Sequence, residues 1–365
     1  MIRFNKRSKY WEFDYKDIFG NRKIKGGFKR KVDAEDFKMQ LLSEMNKGGQ
    51  PQDKKMTFRK ASELFMELHA IPRCRYTTVY HYSGYLKNHI LPCFGHLKLV
   101  EINSIMIKQF MSDKAKTSLS NSTINKFKKL MSGIFNMMVE DGVINYNPAA
   151  RIKTLKECSK IEIDPLNQEE VRALLIKTKE VYPDFYPLAF TAIYTGMRQG
   201  ELLGLTWNDI NWKTNKIIVS KSYTHGHLGN TKTGKTRRID MSPKLGKVLK
   251  EWKLACPVGS HNLVFPNNNG EYQDANNLTK RRYKPSLERA GLHQRRFHDL
   301  RHTYATLSLL NNIPMKYVQL QLGHSSIKMT MDIYTHLLPE VNEQCVAMLD
   351  SIMEFDEPRV RKFGT

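Results

Sequence analysis

The sequence predicts a multidomain protein that is mainly α-helical and carries small β-sheets. Its 365 residues allow two or three domains, each able to bury a core of its own. Most of the chain repeats apolar residues at the three- and four-residue spacing of helices, whereas short regions near the N-terminus and between residues 216 and 241 alternate apolar and polar side chains as strands do. The predicted order is a three-stranded sheet with one helix, a four-helix bundle and a mixed α+β domain.

The first fifty residues predict a small sheet packed on one helix. Aromatic residues alternate with charged ones in a first strand: Trp11, Phe13, Tyr15. A turn containing Gly20 leads to a returning strand over 22–31, and Asp33 is the expected N-cap of the helix, with Val32 and Phe37 as a hydrophobic staple. The apolar face continues until Gly48 and Gly49: Phe37, Leu41, Met45. Thirteen basic against seven acidic residues suit this unit to DNA.

The next hundred residues predict a helical bundle. A polar stretch over 48–55 is the expected linker. The first helix has one apolar face: Phe58, Ala61, Phe65, Leu68. A second helix is predicted over 77–90 and a third from Ser104, and Ser122 is the expected cap of the fourth. The fourth helix has a long buried stripe: Ile124, Phe127, Met131, Ile134, Phe135, Met138.

A third domain follows a basic connector over 151–163. Asn167 is the expected N-cap of its first helix, with Glu170 reaching back and Leu166 packing against Val171. Strands are predicted over 216–220 and 236–241, joined through the glycine-containing segment 226–234. The expected boundaries are 1–50, 56–153, 163–350 and a tail over 351–365.

The charge of the chain indicates a polyanionic partner. Fifty-nine Lys and Arg against thirty-six Asp and Glu give a net charge of +23 and a pI near 9.7. Neutralising phosphates releases counterions and makes binding strong and salt-dependent, so nucleic acid is the favoured partner. Charge by itself does not exclude a protein of the membrane surface or the ribosome.

The five cysteines predict reduced thiols in the cytoplasm. They are scattered, odd in number and contain no Cys-x-x-Cys pair: Cys74, Cys93, Cys158, Cys256, Cys345. The N-terminus has no apolar run behind it, and nowhere do eighteen apolar residues stand together. We therefore expect a protein that is neither exported nor membrane-spanning.

Four parts of the sequence carry residues suited to phosphodiester chemistry: Thr195–Glu201 with Arg198, His298-Asp299-Leu300-Arg301, Leu322-Gly323-His324, and Tyr334. Two arginines can each fork onto a phosphate, two histidines can exchange a proton near neutral pH, and a phenol can attack phosphorus to form a covalent ester. The sequence has no phosphate-cradling glycine loop, no acidic cluster for magnesium and no paired cysteines for zinc. We expect a tyrosine nucleophile and no metal or cofactor.

With Lys232 in the strand hairpin and Asp332–His336 around Tyr334, these motifs resemble the catalytic domain of tyrosine recombinases. Within that family the chain is most similar to integrases of temperate phages and conjugative transposons. Segments of the bundle resemble the family's helical core-DNA-binding domain: Pro92–Gly95, Leu99, Ile102, Asn147–Ala149. The first fifty residues resemble its arm-type DNA-binding domain, so the resemblance covers essentially the whole chain.

The resemblance implies a role for each site residue. Arg198 and Arg301 would clamp the scissile phosphate, with Glu201 orienting Arg198 or a neighbouring histidine, and Tyr334 would form a 3′-phosphotyrosine intermediate. Lys232 would protonate the departing 5′-oxygen.

The other candidates are four histidines, a second lysine and several tyrosines. His298 would accept or share the proton of the nucleophile, and His324 would hydrogen-bond the phosphate. Lys235, in the same turn as Lys232, is the alternative general acid. His302 and His336 are not expected to act directly, and most other tyrosines are expected in the core or on the DNA backbone: Tyr194, Tyr304, Tyr317.

The implied function is site-specific recombination that integrates, and also excises, the DNA of a mobile element such as a viral genome. The implied partners are double-stranded DNA with core and arm attachment sites, three further copies of the chain in a tetramer, an excision factor and a host DNA-bending protein, all at the nucleoid of a bacterial host. A C-terminal stripe would pack on the neighbouring protomer or on its own domain: Val341, Cys345, Leu349, Ile352. The rivals are a type IB topoisomerase and a non-catalytic DNA-binding regulator.

Overall fold

A computed structural model describes residues 2–16, 22–46, 55–157, 163–231, 234, 236–324, 326–328, 331, 349 and 351. The chain divides into two compact units, Met1–Lys160 and Ile161–Thr365. None of the helices in the described ranges is both long and apolar enough to cross a membrane. The thiols of Cys74, Cys93 and Cys256 are free, while Cys158 and Cys345 lie outside the described residues.

The N-terminal part of the first unit is a three-stranded antiparallel sheet and one helix, as predicted. The sheet runs in the order β1-β2-β3. Its elements, with the helix, are β1 Ile2–Asn5, β2 Tyr10–Lys16, β3 Arg22–Phe28 and α1 Lys31–Asn46. Phe13 of β2 is fully buried against Ala34 and Leu41 of α1, because alternation along the strand turns its odd-numbered aromatic residues to the helix.

The predicted start of α1 is wrong by three residues. The helix begins at Lys31, so Asp33 lies inside its first turn, where its carboxylate accepts from Arg30 Nη2 at 2.6 Å instead of capping the helix. Val32 is 58% exposed and does not act as a staple, whereas Phe37 packs on Phe28 at 5.4 Å between ring centroids. Four predicted features lie outside the described residues: the Gly20 turn, the Met45 side chain, the glycine pair at 48 and 49, and the linker up to residue 54.

The rest of the first unit is the predicted helical bundle. Its first helical rod comprises α2 Phe58–Leu64, a π-helical turn Phe65–Ala70 and α3 Ile71–Arg73. The second comprises α4 Tyr76–Tyr85, a π-helical turn Leu86–Ile90 and α5 Leu91–Phe94, and a short 3₁₀ turn Leu99–Glu101 follows. The third and fourth are α6 Ser104–Ala115 and α7 Asn121–Glu140. The whole predicted stripe of α7 is buried, which confirms these Met and Phe residues as core.

Two details of the bundle differ from the sequence prediction. Leu68 is 57% exposed, because the wider π-helical turn rotates the helix surface and Ala70 takes the buried position instead. Ser120, not Ser122, caps α7, and its Oγ accepts from the backbone N–H of Thr123 at 3.3 Å. Both serines are good capping residues, and the packing of the stripe selects the earlier one.

The second unit combines helices with a small sheet. Its elements up to the sheet are α8 Gln168–Val181, α9 Tyr186–Thr195, α10 Gln199–Leu203 and a 3₁₀ turn Trp207–Asp209. The strands are β4 Ile210–Asn211, β5 Lys216–Val219, β6 Lys221–Thr224, β7 His227–Asn230 and β8 Arg237–Asp240. The remaining helices are α11 Pro243–Ala255, α12 Ala275–Leu278, a π-helical turn Thr279–Tyr283, α13 Lys284–Arg289, α14 Asp299–Leu310 and α15 Met315–Leu322.

The local predictions for this unit are confirmed, with one addition. Asn167 and Glu170 form the expected reciprocal cap of α8. Strands β5 and β8 pair directly in a sheet of order β4-β5-β8. A second antiparallel hairpin, β6-β7, lies between them, and only its second strand falls in the predicted joining segment 226–234. His225 and Gly226 close the hairpin with φ of 51° and 76°. Positive φ at both turn residues is typical of a tight two-residue hairpin. The sequence did not predict this hairpin, because its residues do not alternate between apolar and polar.

Candidate active site

The turn between α9 and α10 presents Arg198. Gly196 ends α9 with φ of 61°, and Arg198 follows in extended conformation as the first residue before α10. A Cβ on Gly196 would lie 2.7 Å from both Leu322 Cδ2 and Tyr304 Cδ1. Glycine is therefore required twice here, for the left-handed backbone and for the close approach of α14 and α15.

Glu201 is a buried carboxylate shared by two arginines. Its side chain is 1% exposed. Oε1 accepts from Arg198 Nη1 and Arg237 Nη1, each at 2.9 Å, and Oε2 accepts from the Arg198 backbone N–H at 2.9 Å and Arg237 Nη2 at 2.6 Å. Burial alone raises the pKa of Glu201, but the hydrogen bonds and charge of Arg237, with the charge of Arg198, outweigh it and lower the pKa to about 2. Of the two roles predicted for Glu201, the geometry corresponds to orienting Arg198.

Arg301 joins the same network from α14. It lies in the first turn of the helix and is 3% exposed. Its Nη1 donates to the carbonyl of Gly196 at 2.8 Å, and its Nη2 donates to the carbonyl of Leu322 at 2.7 Å. Arg237 Nε donates to the carbonyl of Gln321 at 3.0 Å. Three sequence segments around residues 198, 237 and 322 are thus held together by guanidinium groups.

The two candidate histidines stand at helix ends facing these arginines. His298 immediately precedes α14, and His324 follows Gly323, which ends α15 in left-handed conformation. Desolvation, followed by the positive charge of His302, Arg301 and Arg198, lowers the pKa of His298 to about 4. Desolvation and the charges of Arg301 and Arg198 lower the pKa of His324 to about 3. Both rings are neutral at pH 7 without DNA and can each donate one N–H and accept at the other nitrogen.

His302 lies close to the site but is buried. It is 9% exposed, and its ring centroid is 5.1 Å from that of His298 in an edge-on arrangement. Desolvation also lowers its pKa. The expectation that His302 takes no direct part in the chemistry stays a prediction.

The predicted nucleophile and general acid lie outside the described residues: Tyr334, Lys232, Lys235. His336 also lies outside them. Of three other tyrosines, Tyr194 and Tyr304 are half-buried, and Tyr317 is exposed. Tyr194 stacks on Phe190 at 4.0 Å between ring centroids, burial raises the pKa of Tyr304 to about 12, and the Tyr317 hydroxyl donates to Asp240 at 3.0 Å.

Arg237 is the site residue that the sequence interpretation missed. The sequence places it in the strand predicted over 236–241 and indicates no function for it. The alternation along the strand could have identified it. Arg237 lies two residues before the buried Ile239 and therefore on the same face of β8. A charged residue on the buried face of a strand requires a partner, and Glu201 is that partner.

An open cleft of about 430 Å³ lies beside His298. Its walls include basic and amide side chains: Gln199, Lys284, Gln294, Arg295, Arg296. A larger cavity of about 570 Å³, lined by Trp252, Asn267 and Arg281 among others, contains none of the predicted catalytic residues. Of these two cavities, the smaller one adjoins the arginine and histidine cluster, through His298. No group of three side chains able to hold a metal ion occurs within the described ranges.

A helical bundle followed by a mixed domain with this cluster defines a protein of the tyrosine recombinase class. Residues 164–340 match the phage integrase family, and residues 57–115 match the N-terminal SAM-like domain of phage integrases. The chain belongs to the phage integrase family, and it is an enzyme of DNA recombination.

Named relatives and solved structures agree with this assignment. A XerC-like tyrosine recombinase of Caldanaerobacter subterraneus is 32% identical over 305 residues, 74% of this chain and 76% of the relative. The ICEBs1 integrase of Bacillus subtilis is 29% identical over 73% of this chain and 76% of its own length. These relatives do not favour a topoisomerase or a non-catalytic regulator.

Two solved integrases share the fold. The Tn1549 transposon integrase, in complex with a circular intermediate DNA, has a TM-score of 0.65 at 21% identity and covers 81% of this chain and 99% of its own. The lambda integrase tetramer bound to a Holliday junction has a TM-score of 0.62 at 18% identity, with coverages of 89% and 95%. The predicted multidomain, mainly α architecture with small sheets is thereby confirmed.

Proposed function

We propose that this integrase cuts and rejoins DNA at specific attachment sites through a 3′-phosphotyrosine at Tyr334, integrating and excising a mobile element. The observation that carries the proposal is the set of hydrogen bonds that ties together the segments carrying Arg198, Arg301 and His324. These residues are distant in sequence, yet carbonyl and carboxylate acceptors hold their segments together. Such a fixed cationic cluster suits a phosphate that gains negative charge as phosphorus becomes five-coordinate.

In this mechanism the two arginines bind the non-bridging oxygens of the scissile phosphate. Arg198 uses one guanidinium nitrogen on Glu201, and its side chain is 27% exposed, which leaves it accessible to DNA. The fixed orientation of Arg301 supports selective binding of the transition state, since its donors need not reorganise during the reaction.

The neutral histidines complete the proton transfers. His298 accepts or shares the phenolic proton of Tyr334, and His324 donates a hydrogen bond to the phosphate. Lys232 gives a proton to the 5′-oxygen, which otherwise leaves as a strongly basic alkoxide. The phosphotyrosine ester conserves the energy of the phosphodiester bond, so a second 5′-hydroxyl can reverse the step without a cofactor.

Three DNA contacts are proposed along the chain. The mixed domain binds the crossover site, the helical bundle of the first unit binds core DNA, and the basic sheet at the N-terminus binds arm sites. Four protomers would assemble on two DNA duplexes, as the solved lambda integrase tetramer is bound to a Holliday junction. An excision factor and a host DNA-bending protein are the proposed accessory partners. The proposed location is the cytoplasm of a bacterial host, which contains the DNA to be recombined.

A nicked suicide duplex tests the chemistry. Cleavage releases a short fragment that bears the free 5′-hydroxyl, and loss of this fragment prevents rejoining and traps the covalent intermediate. The wild-type chain should become attached to DNA, whereas Tyr334→Phe should bind the same duplex and form no adduct. An adduct with that variant would assign the nucleophile to another residue.

A second pair of measurements tests the arginine and the reaction class. Arg198→Lys should lose most cleavage although it keeps the charge, because an ammonium cannot make a forked contact with phosphate. Recombination between two attachment sites should be efficient. Relaxation of supercoiled DNA with no recombination would instead indicate a topoisomerase.

A further inference from the structure

Arg237 and Arg198 bind the same carboxylate in different ways. Arg237 forks onto Glu201, with Nη1 on Oε1 at 2.9 Å and Nη2 on Oε2 at 2.6 Å. Arg198 places one guanidinium nitrogen on Oε1 at 2.9 Å. The paired, shorter contact therefore belongs to the arginine on β8, whose side chain is 11% exposed.

We propose that Arg237 is a positioning residue that neutralises Glu201 and so keeps the Arg198 guanidinium available to a DNA phosphate, an inference that rests on the proposed function of Arg198. Arg198 and Arg237 are positively charged and Glu201 is negatively charged, so these three side chains together carry one net positive charge. Without Arg237, the 1%-exposed carboxylate would have one cation nearby. A forked pair between Arg198 and Glu201 would then be the best available compensation for the buried charge, and it would withdraw Arg198 from the phosphate.

The same side chain also fixes the segment that carries His324. Arg237 Nε donates to the carbonyl of Gln321 at 3.0 Å. Gly323 follows with φ of 68°, and a Cβ there would lie 2.7 Å from Arg237 Cδ. Arg237 thus lies against the backbone of the turn that immediately precedes His324, so one residue positions both an arginine and a histidine of the site.

Single-turnover adduct formation on the suicide duplex, measured at saturating DNA together with the Kd for DNA, tests this role. Arg237→Gln should slow cleavage by about tenfold or more while changing the Kd by less than about threefold. Arg238→Gln is the matched control, because it removes the same charge from the exposed neighbouring position on β8 and should cleave normally. Normal cleavage by Arg237→Gln would overturn the proposal.

A double variant separates positioning from loss of folding. In Arg237→Gln with Glu201→Gln, residue 201 no longer carries a negative charge that could capture Arg198, so cleavage should be faster than in Arg237→Gln alone. Arg237→Gln should also regain activity relative to wild type as the pH is lowered, because protonation of Glu201 releases Arg198. A double variant slower than the single one, or a pH profile parallel to wild type, would refute the role.

Arg198→Gln distinguishes this inference from the function on which it rests. If Arg198→Gln forms no adduct and Arg237→Gln cleaves normally, the inference about Arg237 fails and the phosphate role of Arg198 stands. If Arg198→Gln cleaves normally, the proposed phosphate clamp fails and Arg237 loses its assigned role with it.

Discussion

Gly196→Ala tests the close packing of the three segments that form the site. The left-handed backbone at φ of 61° costs a residue with a Cβ about 1 to 2 kcal/mol. The added methyl group would also lie 2.7 Å from Leu322 Cδ2 and Tyr304 Cδ1, and such overpacking costs about 1 to 3 kcal/mol. The expected loss in the free energy of unfolding is therefore about 2 to 5 kcal/mol.

Gly291→Ala is the matched control for this prediction. Gly291 has φ of 69°, and a Cβ there would meet no atom within 4 Å, so it should lose about 1 to 2 kcal/mol from the backbone alone. Urea unfolding followed by tryptophan fluorescence reports mainly on the second unit, which holds three of the four tryptophans: Trp207, Trp212, Trp252. If the variants have the same m-value, a difference between their urea midpoints is a difference in the free energy of unfolding.

Cleavage provides a second readout for the same pair of variants. Since the Gly196 carbonyl accepts from Arg301 Nη1 at 2.8 Å, displacement of this turn should also slow adduct formation, while Gly291→Ala should cleave normally. Equal unfolding midpoints for the two variants would show that α14 and α15 move aside without cost and that close packing does not fix the turn.

Three further predictions concern the general acid, the N-terminal unit and the histidines. Lys232→Ala should fail on normal DNA and recover on a 5′-bridging phosphorothioate, because sulfur leaves without a proton, whereas Lys235→Ala should show a modest binding defect on both; the reverse rescue would exchange their roles. A fragment beginning near Lys54 should cleave core DNA yet lose arm binding and efficient integration, and integration equal to the full chain would reject the arm-binding assignment. The folded-state pKa values of His298 and His324, about 4 and about 3, lie below the unfolded value, so the unfolded chain binds more protons and stability should fall as the pH drops from about 6.5 toward 4. Urea midpoints measured across that range should fall less steeply when both histidines are replaced by Gln, and an unchanged slope would contradict the lowered pKa values.

Local patterns predicted what depends on neighbours in sequence. Helical spacing identified the buried stripe of α7, and the Asn167 cap followed from residues three positions apart. Where two local solutions were nearly equivalent, the prediction erred by a short distance, as at Ser120 and Ser122. The cap preference of serine is the same at both positions, and tertiary packing makes the choice.

The sequence by itself determined the class of chemistry, because the identities and order of Arg198, Arg301, His298 and His324 already restrict what the chain can bind and transfer. Only the tertiary structure decided which carboxylate neutralises which arginine and why Gly196 is required. The deciding contacts join residues 36, 84 and 105 positions apart. Such pairs leave no periodic trace in the sequence, since their geometry arises when separate helices and strands pack on a common core.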